Sequence, residues 1–524
     1  MAMASAGDAE RVCGWGRWQA RLALLLALPV LLTGLYGTNY VFLAAHTDHR
    51  CEVPECEGND TTYSAARSEG WGARALPAAT PCARWVPRDA ACAAGSFDNA
   101  TRQPCDRFVY ESRSSIVAEF DLGCQEMRRS LVGTAHNVGM LVSLPIMGHV
   151  SDRYGRRAAL LLSGVGAGLL GLAKSFAGSY HAYLLAEMLE TVLGASVYPA
   201  AFVLMIEWLG VEHRILTSLV LGIPLAAGAA TLSLLDYLLG SWRSWCRVAY
   251  PPSLLLLLYP WLLPESVRWL AIRGRGADAL RLLKQAARWN RVDASDEAFE
   301  KMLSNQDEKG AAVRVQDESL FAAFIKYGAL RRRLVVCFVW WVSAVFVFYG
   351  LAVRAHALGG SAHATYALLA AAELPALLAN TLLLDRAGRR PLLTAAFLLT
   401  AVSLVAIPCL PENSGRWNTA LYLMGKLGAT SALNALYVYT AELFPTRARH
   451  RLLAACSTLG RLGAVLAPLT PLLAEYKPWL PTVLFGTLPL LSAALTRLVP
   501  DTLHARLPDS FSDLEPARPD AADV

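Results

Sequence analysis

A charged hexapeptide occurs twice in the chain, as Asp152-Arg153-Tyr154-Gly155-Arg156-Arg157 and as Asp385-Arg386-Ala387-Gly388-Arg389-Arg390, each time between long apolar stretches. So many charges cannot sit in hydrocarbon, so each copy is a turn at a membrane edge. A basic turn repeated this far along the chain calls for two similar bundles of membrane helices joined in series.

Composition agrees. Of 524 residues, 55% are hydrophobic and only 17% charged, where a soluble domain carries about a quarter. Stretches near 21–43, 129–150, 158–176, 180–207, 215–239 and 246–263, then 333–352, 362–384, 391–408, 416–443, 452–474 and 480–498, read as twelve spans. The segment from Arg21 to Phe42 is too long for the apolar core of a cleavable signal and has no clear small-residue cleavage site. It reads as the first span. The net charge of +6 is explained by arginines at helix ends, and nucleic acid is not implied. With a cytoplasmic N-terminus, 151–157, 208–214, 264–332, 385–390 and 444–451 lie inside, and they hold the arginine clusters. The short outer loops near 177–179 and 475–479 hold one lysine at most.

The expected fold is therefore an all-α membrane protein with twelve transmembrane helices in two pseudo-symmetric six-helix bundles. A cytoplasmic N-terminus (1–20) leads into the first bundle (21–263). A cytoplasmic linker with short helices (264–332), the second bundle (333–498) and a disordered cytoplasmic tail (499–524) follow. The linker stretch Asp278 to Arg291 has apolar positions at helical spacing (Leu280, Leu282, Leu283, Ala286, Ala287).

The outer loop of about 44–128 holds Cys51, Cys56, Cys82, Cys92, Cys105 and Cys124 and the sequons at Asn59 and Asn99. An even cysteine set with sequons points to an extracellular compartment and up to three disulfides, with roughly fifteen pairings open.

Further motifs carry a family resemblance. Gly148-His149-Val150-Ser151 ahead of the first hexapeptide completes a Gly-x-x-x-Asp-Arg-x-Gly-Arg-Arg turn that resembles the signature of the major facilitator superfamily. The second copy has Thr381 in place of the leading glycine. Pro264-Glu265-Ser266-Val267-Arg268-Trp269-Leu270 is similar to a signature of sugar porters and organic-ion transporters. Tyr439-Thr440-Ala441-Glu442-Leu443-Phe444-Pro445-Thr446, Phe120-Asp121-Leu122-Gly123-Cys124 and Leu507-Pro508-Asp509 narrow the likeness to the organic cation, anion and carnitine transporters (solute carrier 22-type). Leu131-Val132-Gly133-Thr134-Ala135-His136-Asn137 looks most like the arthropod organic cation transporter-like branch.

The resemblance implies the major facilitator fold and alternating access to a small organic ion at the plasma membrane. It also implies that the turns act as conformational latches. Asp152, Arg153, Arg156, Arg157, Asp385, Arg386, Arg389 and Arg390 form them, with Glu207, Glu442 and Arg447 as partners. Asp152 is placed to meet the positive end of a neighbouring helix; Glu207 is matched with Arg214, and Glu442 with Arg447 and Arg449. The plainer reading is that these charges only set topology.

Substrate contacts must come from polar groups inside the spans, where a charge is functional by default. Arg461, Glu373, Lys426, Tyr349 and Trp341 are the candidates. In the family, arginine at the place of Arg461 goes with anions and carnitine, and aspartate with cations. A guanidinium grips a carboxylate in bidentate fashion. The set favours an organic anion or a carnitine-like zwitterion, with a cation possible. The competing reading pairs Glu373 with Lys426 and leaves both away from the substrate.

His136 and Asn137 read as hydrogen-bonding between helices, Glu187 and Glu190 as buried pairing partners, and Asp236 as interfacial. Tyr36, Asn39 and Tyr40 read equally as cavity or belt residues, and Gly164 and Gly168 as close packing. No Walker loop, His-Glu-x-x-His, Gly-x-Ser-x-Gly or Cys-x-x-Cys occurs, so an enzyme, a metal site and a cofactor are not expected. A non-transporting receptor on the same fold, binding through the large loop, is the alternative. The coupling ion is left open, and a monomer is expected.

Overall fold

The computed structural model describes residues 12, 14–57, 62–68, 70–77, 80–89, 91–93, 95–209, 214–293, 297–299, 320–357, 361–411, 414–445, 448–503, 508 and 511–514. Asn59 and Arg447 lie outside them, as does the Arg214 side chain. Ten helical segments among the described residues are long and apolar enough to cross a membrane. Two of the expected twelve spans fall short of that test, for different reasons. The segment at 246–263 is broken into Trp242–Ala249, a 3-10 stretch Pro251–Leu258 and Tyr259–Leu262. Pro251 and Pro252 lack the N–H groups that an α-helix would need there. The Gly415–Leu443 helix is continuous over 29 residues, but Arg416, Lys426 and Glu442 dilute its apolar character.

Other breaks also fall where the chain dictates them. The first span divides into Arg17–Tyr36 and Tyr40–Leu43 around Gly37-Thr38-Asn39. The eighth divides at Ala372 into Ala362–Ala371 and Glu373–Ala387, which makes Glu373 the first residue of a helix. The two basic turns have the same geometry. Glu126–Tyr154 joins Arg156–Lys174 through Gly155 at φ +104°, and Glu373–Ala387 joins Arg389–Ala406 through Gly388 at φ +93°. Only glycine adopts this backbone region readily.

The apolar core falls into separate clusters. One fills the basic-turn end of the first half, around Trp18, Leu204, Trp208 and Leu283. A second fills the equivalent part of the second half, around Trp340, Leu436 and Tyr439. A third spans both halves at the opposite end, where Tyr40, Trp245, Phe346 and Phe485 meet Ile116 and Leu122 of the cysteine loop. Hydrogen bonds between the halves lie toward this loop end. His363 Nε2 is 2.9 Å from Asp236 Oδ2, Ser233 Oγ donates to the His363 carbonyl at 2.8 Å, and Thr134 Oγ1 donates to the Val465 carbonyl at 3.3 Å. Thr38 and Tyr366 also share a hydroxyl–hydroxyl bond. The halves are thus joined at the loop end and packed separately at the basic-turn end.

In the loop, strands His49–Cys51 and Phe108–Tyr110 pair antiparallel, as do Ala83–Pro87 and Phe97–Pro104. The structure selects one pairing of the six cysteines: Cys51 with Cys105, Cys56 with Cys92, and Cys82 with Cys124. Asn99 is exposed at the register shift of the second hairpin, where Thr101 Oγ1 donates to Asp98 Oδ2 at 2.7 Å.

The linker contains helices Val267–Ile272, Gly276–Asn290 and Leu320–Lys326. Of the tail, residues 499–503, 508 and 511–514 are among those described. Asp501 and Thr502 dock on the second half, and a 3-10 turn Ser512–Leu514 buries Leu514 while the Phe511 ring stacks on Tyr327. Polar composition hid these few apolar anchors.

Candidate functional site

Two side-chain groups meet near the middle of the second half. Arg461, on the Arg449–Leu466 helix, donates through Nη1 to the Tyr349 hydroxyl at 3.1 Å. It is part-buried, and no carboxylate among the described residues lies within ion-pair distance. Lys426 and Glu373 form the other group: Nζ stands 2.8 Å from Oε1, and the ammonium lies 3.2 Å from the centroid of the Phe348 ring. Phe348 and Tyr349 are neighbours on the Gly328–Val353 helix, so one turn of helix carries both contacts.

This arrangement sets the charge of the site. Lys426 and Glu373 cancel each other, which is the competing reading of that pair. Arg461 keeps a net positive charge with a single neutral partner. Trp341 stands further back. It is buried, its Nε1 donates to Thr440 Oγ1 at 3.1 Å, and its ring meets Tyr437 edge-on at 4.7 Å. It supports the wall and is not placed to touch a ligand.

The basic turns form two matching networks. Arg156 Nε and Nη2 donate to Glu207, each at 3.0 Å, and Nη1 reaches Asp152 Oδ1 at 3.0 Å. Arg389 Nε and Nη2 donate to Glu442 at 3.0 and 3.1 Å, and Nη2 lies 3.0 Å from Asp385 Oδ1. Glu207 and Glu442 are thus taken up by the arginines of the turns; of the partners the sequence suggested, the Arg214 side chain and Arg447 lie outside the described residues, and no ion pair joins Arg449 to Glu442 among those described. The Arg157 guanidinium caps the Pro260 carbonyl at 3.0 Å, and Arg153 lies over the Tyr154 ring. Arg386 is exposed, and Arg390 contributes its backbone N–H to Asp501.

Asp152 does not meet a neighbouring helix end. Its side chain is 80% exposed and bonds only within its own turn. Glu265 takes the expected place: its carboxylate accepts from the backbone N–H groups of Arg156 at 3.0 Å and Arg157 at 3.2 Å. Asp501 does the same for Arg389 at 3.2 Å and Arg390 at 3.3 Å. The reason is geometric. Asp152 precedes the turn on the helix that ends there, whereas the free N–H groups face the segment following the sixth span, and its counterpart after the twelfth. Glu265 stands in a quoted motif and was findable. Asp501 follows Pro500 in a polar tail and gave no comparable signal.

A buried ionic network in the first half was also only half visible. Glu187 and Glu190 pair with Lys174, whose Nζ is 2.6 and 2.5 Å from their carboxylates and 3.0 Å from the Tyr250 hydroxyl. His136 Nδ1 lies 2.7 Å from Glu187 Oε1 and Nε2 lies 3.1 Å from the Gly37 carbonyl. Lys174 is a charge inside an apolar span, and that is the signal that could have found it. Asn39 Nδ2 donates to Tyr250 at 2.8 Å and the Tyr36 hydroxyl to the Ala249 carbonyl at 3.0 Å, so both support packing. Gly168 is close-packed: a Cβ there would stand 1.6 Å from Ser253 Oγ. Asp236, read as interfacial, bridges to the other half through His363.

Two joined helical bundles, duplicated basic turns and charged groups at mid-span define a carrier of the secondary-transport class. The family model of the Major Facilitator Superfamily matches residues 119–468 and 333–519. Solute carrier family 22 member 7 of Bos taurus is 31% identical over 97% of this chain and 95% of its own. Organic cation transporter protein of Drosophila melanogaster is 29% identical over 96% and 92%. Among solved structures, the proton:xylose symporter XylE bound to 6-bromo-6-deoxy-D-glucose superimposes with a TM-score of 0.63 at 14% identity, covering 95% of this chain and 98% of that one. The chain belongs to the major facilitator superfamily and, within it, to solute carrier family 22. It is a multi-pass membrane transporter and not an enzyme.

Proposed function

We propose that the chain moves small organic anions across the plasma membrane by alternating access, through twelve spans with both termini cytoplasmic. The loop of about 44–128 is then extracellular, disulfide-bonded and glycosylated. In this orientation the joined loop end is the closed outer gate. The observation that carries the reading is the part-buried Arg461 guanidinium with Tyr349 as its one neutral partner. A carboxylate supplies what that guanidinium lacks. The Lys426–Glu373 pair takes up the one mid-span acid of the second half among the described residues, which disfavours a simple cation, while the carboxylate of a carnitine-like zwitterion suits Arg461 equally. Both latch networks are complete, which supports a moving carrier over a static receptor.

The test is uptake of a panel of labelled anions, cations and zwitterions in cells expressing the chain and its Arg461→Ala variant. Carboxylated compounds are expected to enter, and the variant to lose at least about tenfold of that uptake, as loss of one charged hydrogen bond of about 1.5–3 kcal/mol requires. Unchanged carboxylate uptake in the variant would sink the anion reading.

A further inference from the structure

We propose that His136, Glu187, Lys174 and Glu190 form a proton-binding site that couples proton entry to anion entry; this rests on the carrier reading above. Both ring nitrogens of His136 face acceptors: Nδ1 faces a Glu187 carboxylate oxygen at 2.7 Å and Nε2 the Gly37 carbonyl at 3.1 Å. Only a doubly protonated imidazole donates at both nitrogens. The charge count agrees. Two carboxylates, one ammonium and one imidazolium sum to zero, whereas a neutral imidazole would leave a net negative charge in a fully buried cluster. The same proton thus satisfies the hydrogen bonds and balances the charge.

Other titratable groups surround the site. Tyr40 of the first span stacks on His136 with centroids 4.9 Å apart, and Tyr36 lies near Glu190. Tyr183 and Tyr250 face the Lys174 ammonium, with Cys246 close by. None of them replaces the imidazole proton, because each is neutral at physiological pH. A cavity in the first half reaches the cluster, with Gly37, His136, Glu190 and Thr191 in its wall.

The link to movement runs through the break in the first span. His136 holds the Gly37 carbonyl, and the next residue, Thr38, bonds Tyr366 of the second half. When the halves part at the loop end, Thr38 leaves Tyr366 and Gly37 is free to withdraw. The imidazolium then loses an acceptor, and its proton exchanges with the side that has opened. Protonation and closure of the outer gate therefore stabilise each other. A monoanion carried with one proton moves no net charge, so a pH gradient drives uptake and membrane potential does not.

The experiment uses the purified full chain. First, a difference titration in detergent compares it with His136→Gln. The intact chain is expected to hold about one proton more at pH 7; equal proton counts overturn the site. Second, liposomes at zero membrane potential take up labelled N-acetylglycine with the outside one pH unit more acidic. Accumulation of up to about tenfold is expected, since one unit of pH balances a tenfold substrate ratio. His136→Gln is expected to reduce the ratio of gradient-driven uptake to equilibrium exchange to one. Uptake indifferent to the gradient, or gradient-driven uptake that survives in His136→Gln, overturns the coupling. If the carboxylate panel shows no uptake, the anion-carrier reading fails and the coupling with it, while the titration still decides the proton site by itself.

Discussion

Replacing Gly155 with alanine is expected to be among the most damaging small changes in the first half. Gly155 has φ +104° and ψ 162°, a region that residues with a Cβ occupy at a strain of about 1–3 kcal/mol. A Cβ there would also stand 2.2 Å from Glu265 Oε2. That carboxylate must move, and its bonds from the Arg156 and Arg157 N–H groups at 3.0 and 3.2 Å go with it. Losing a hydrogen bond to a charged acceptor costs about 1.5–3 kcal/mol. Strain and lost cap together come to roughly 4 kcal/mol, a large part of the usual 5–15 kcal/mol. Thermal melting of the purified chain, followed by size-exclusion of what stays monodisperse, is expected to fall by on the order of 10 °C. Gly148→Ala is the control, because a Cβ there meets nothing within 4 Å. In Gly155→Ala/Glu265→Ala the clash is gone but the strain remains, so the double variant should cost less than the sum of its parts. A Gly155→Ala midpoint within about 1 kcal/mol of the parent, or strictly additive costs, would refute the reasoning.

Lys174→Met leaves the buried cluster with one unbalanced carboxylate, at about 3–5 kcal/mol; the monodisperse fraction should fall, and adding Glu190→Gln should restore it, because Glu187 keeps His136. Cys56→Ser opens the bond to Cys92 and should remove about 2–5 kcal/mol from the loop, read as faster proteolysis there, while non-reducing peptide maps of the parent should show Cys51–Cys105, Cys56–Cys92 and Cys82–Cys124. Asn99→Gln should sharpen and speed the gel band of the protein from expressing cells, and glycosidase treatment of the parent should produce the same shift.

The parts of the fold legible in the sequence were those written as periodic apolar pattern or as a repeated motif. The two turns, their glycines and the two-bundle plan belong to that class, because hydrocarbon permits few alternatives. The leading glycine of the first turn turned out to be dispensable to the geometry. Gly148 meets no neighbour, and Thr381 in the second copy bonds only its own helix, to the Leu377 carbonyl at 2.8 Å. What could not be read was partner choice across space. Asp152 and Glu265 are both acids near Arg156, and only the path of the chain after the sixth span decides which one reaches the helix end. Asp501 depends on the same kind of return, from a tail whose composition suggested no structure. Arg461 was legible as a charge at mid-span. The mutual cancellation of Lys426 and Glu373 required the break at Ala372 that brings Glu373 to the right height.

The two halves match at their basic-turn ends and differ at their centres. Arg156–Glu207 and Arg389–Glu442 agree to within 0.1 Å in their paired contacts, so the turn chemistry is the same in both halves. At mid-height the first half buries its charges in a network of paired side chains. The second half leaves Arg461 beside Tyr349, part-buried and with no acid in ion-pair distance among the described residues. A buried, paired network suits an ion as small as a proton, and a guanidinium with only a neutral partner among the described residues suits a carboxylate. In the proposed alternating-access cycle, Thr38 and Tyr366 lie where the two sites can sense one another. A symmetric carrier would hold two equivalent sites; in the proposed reading one half holds a charge-balanced buried network and the other a guanidinium with a neutral partner.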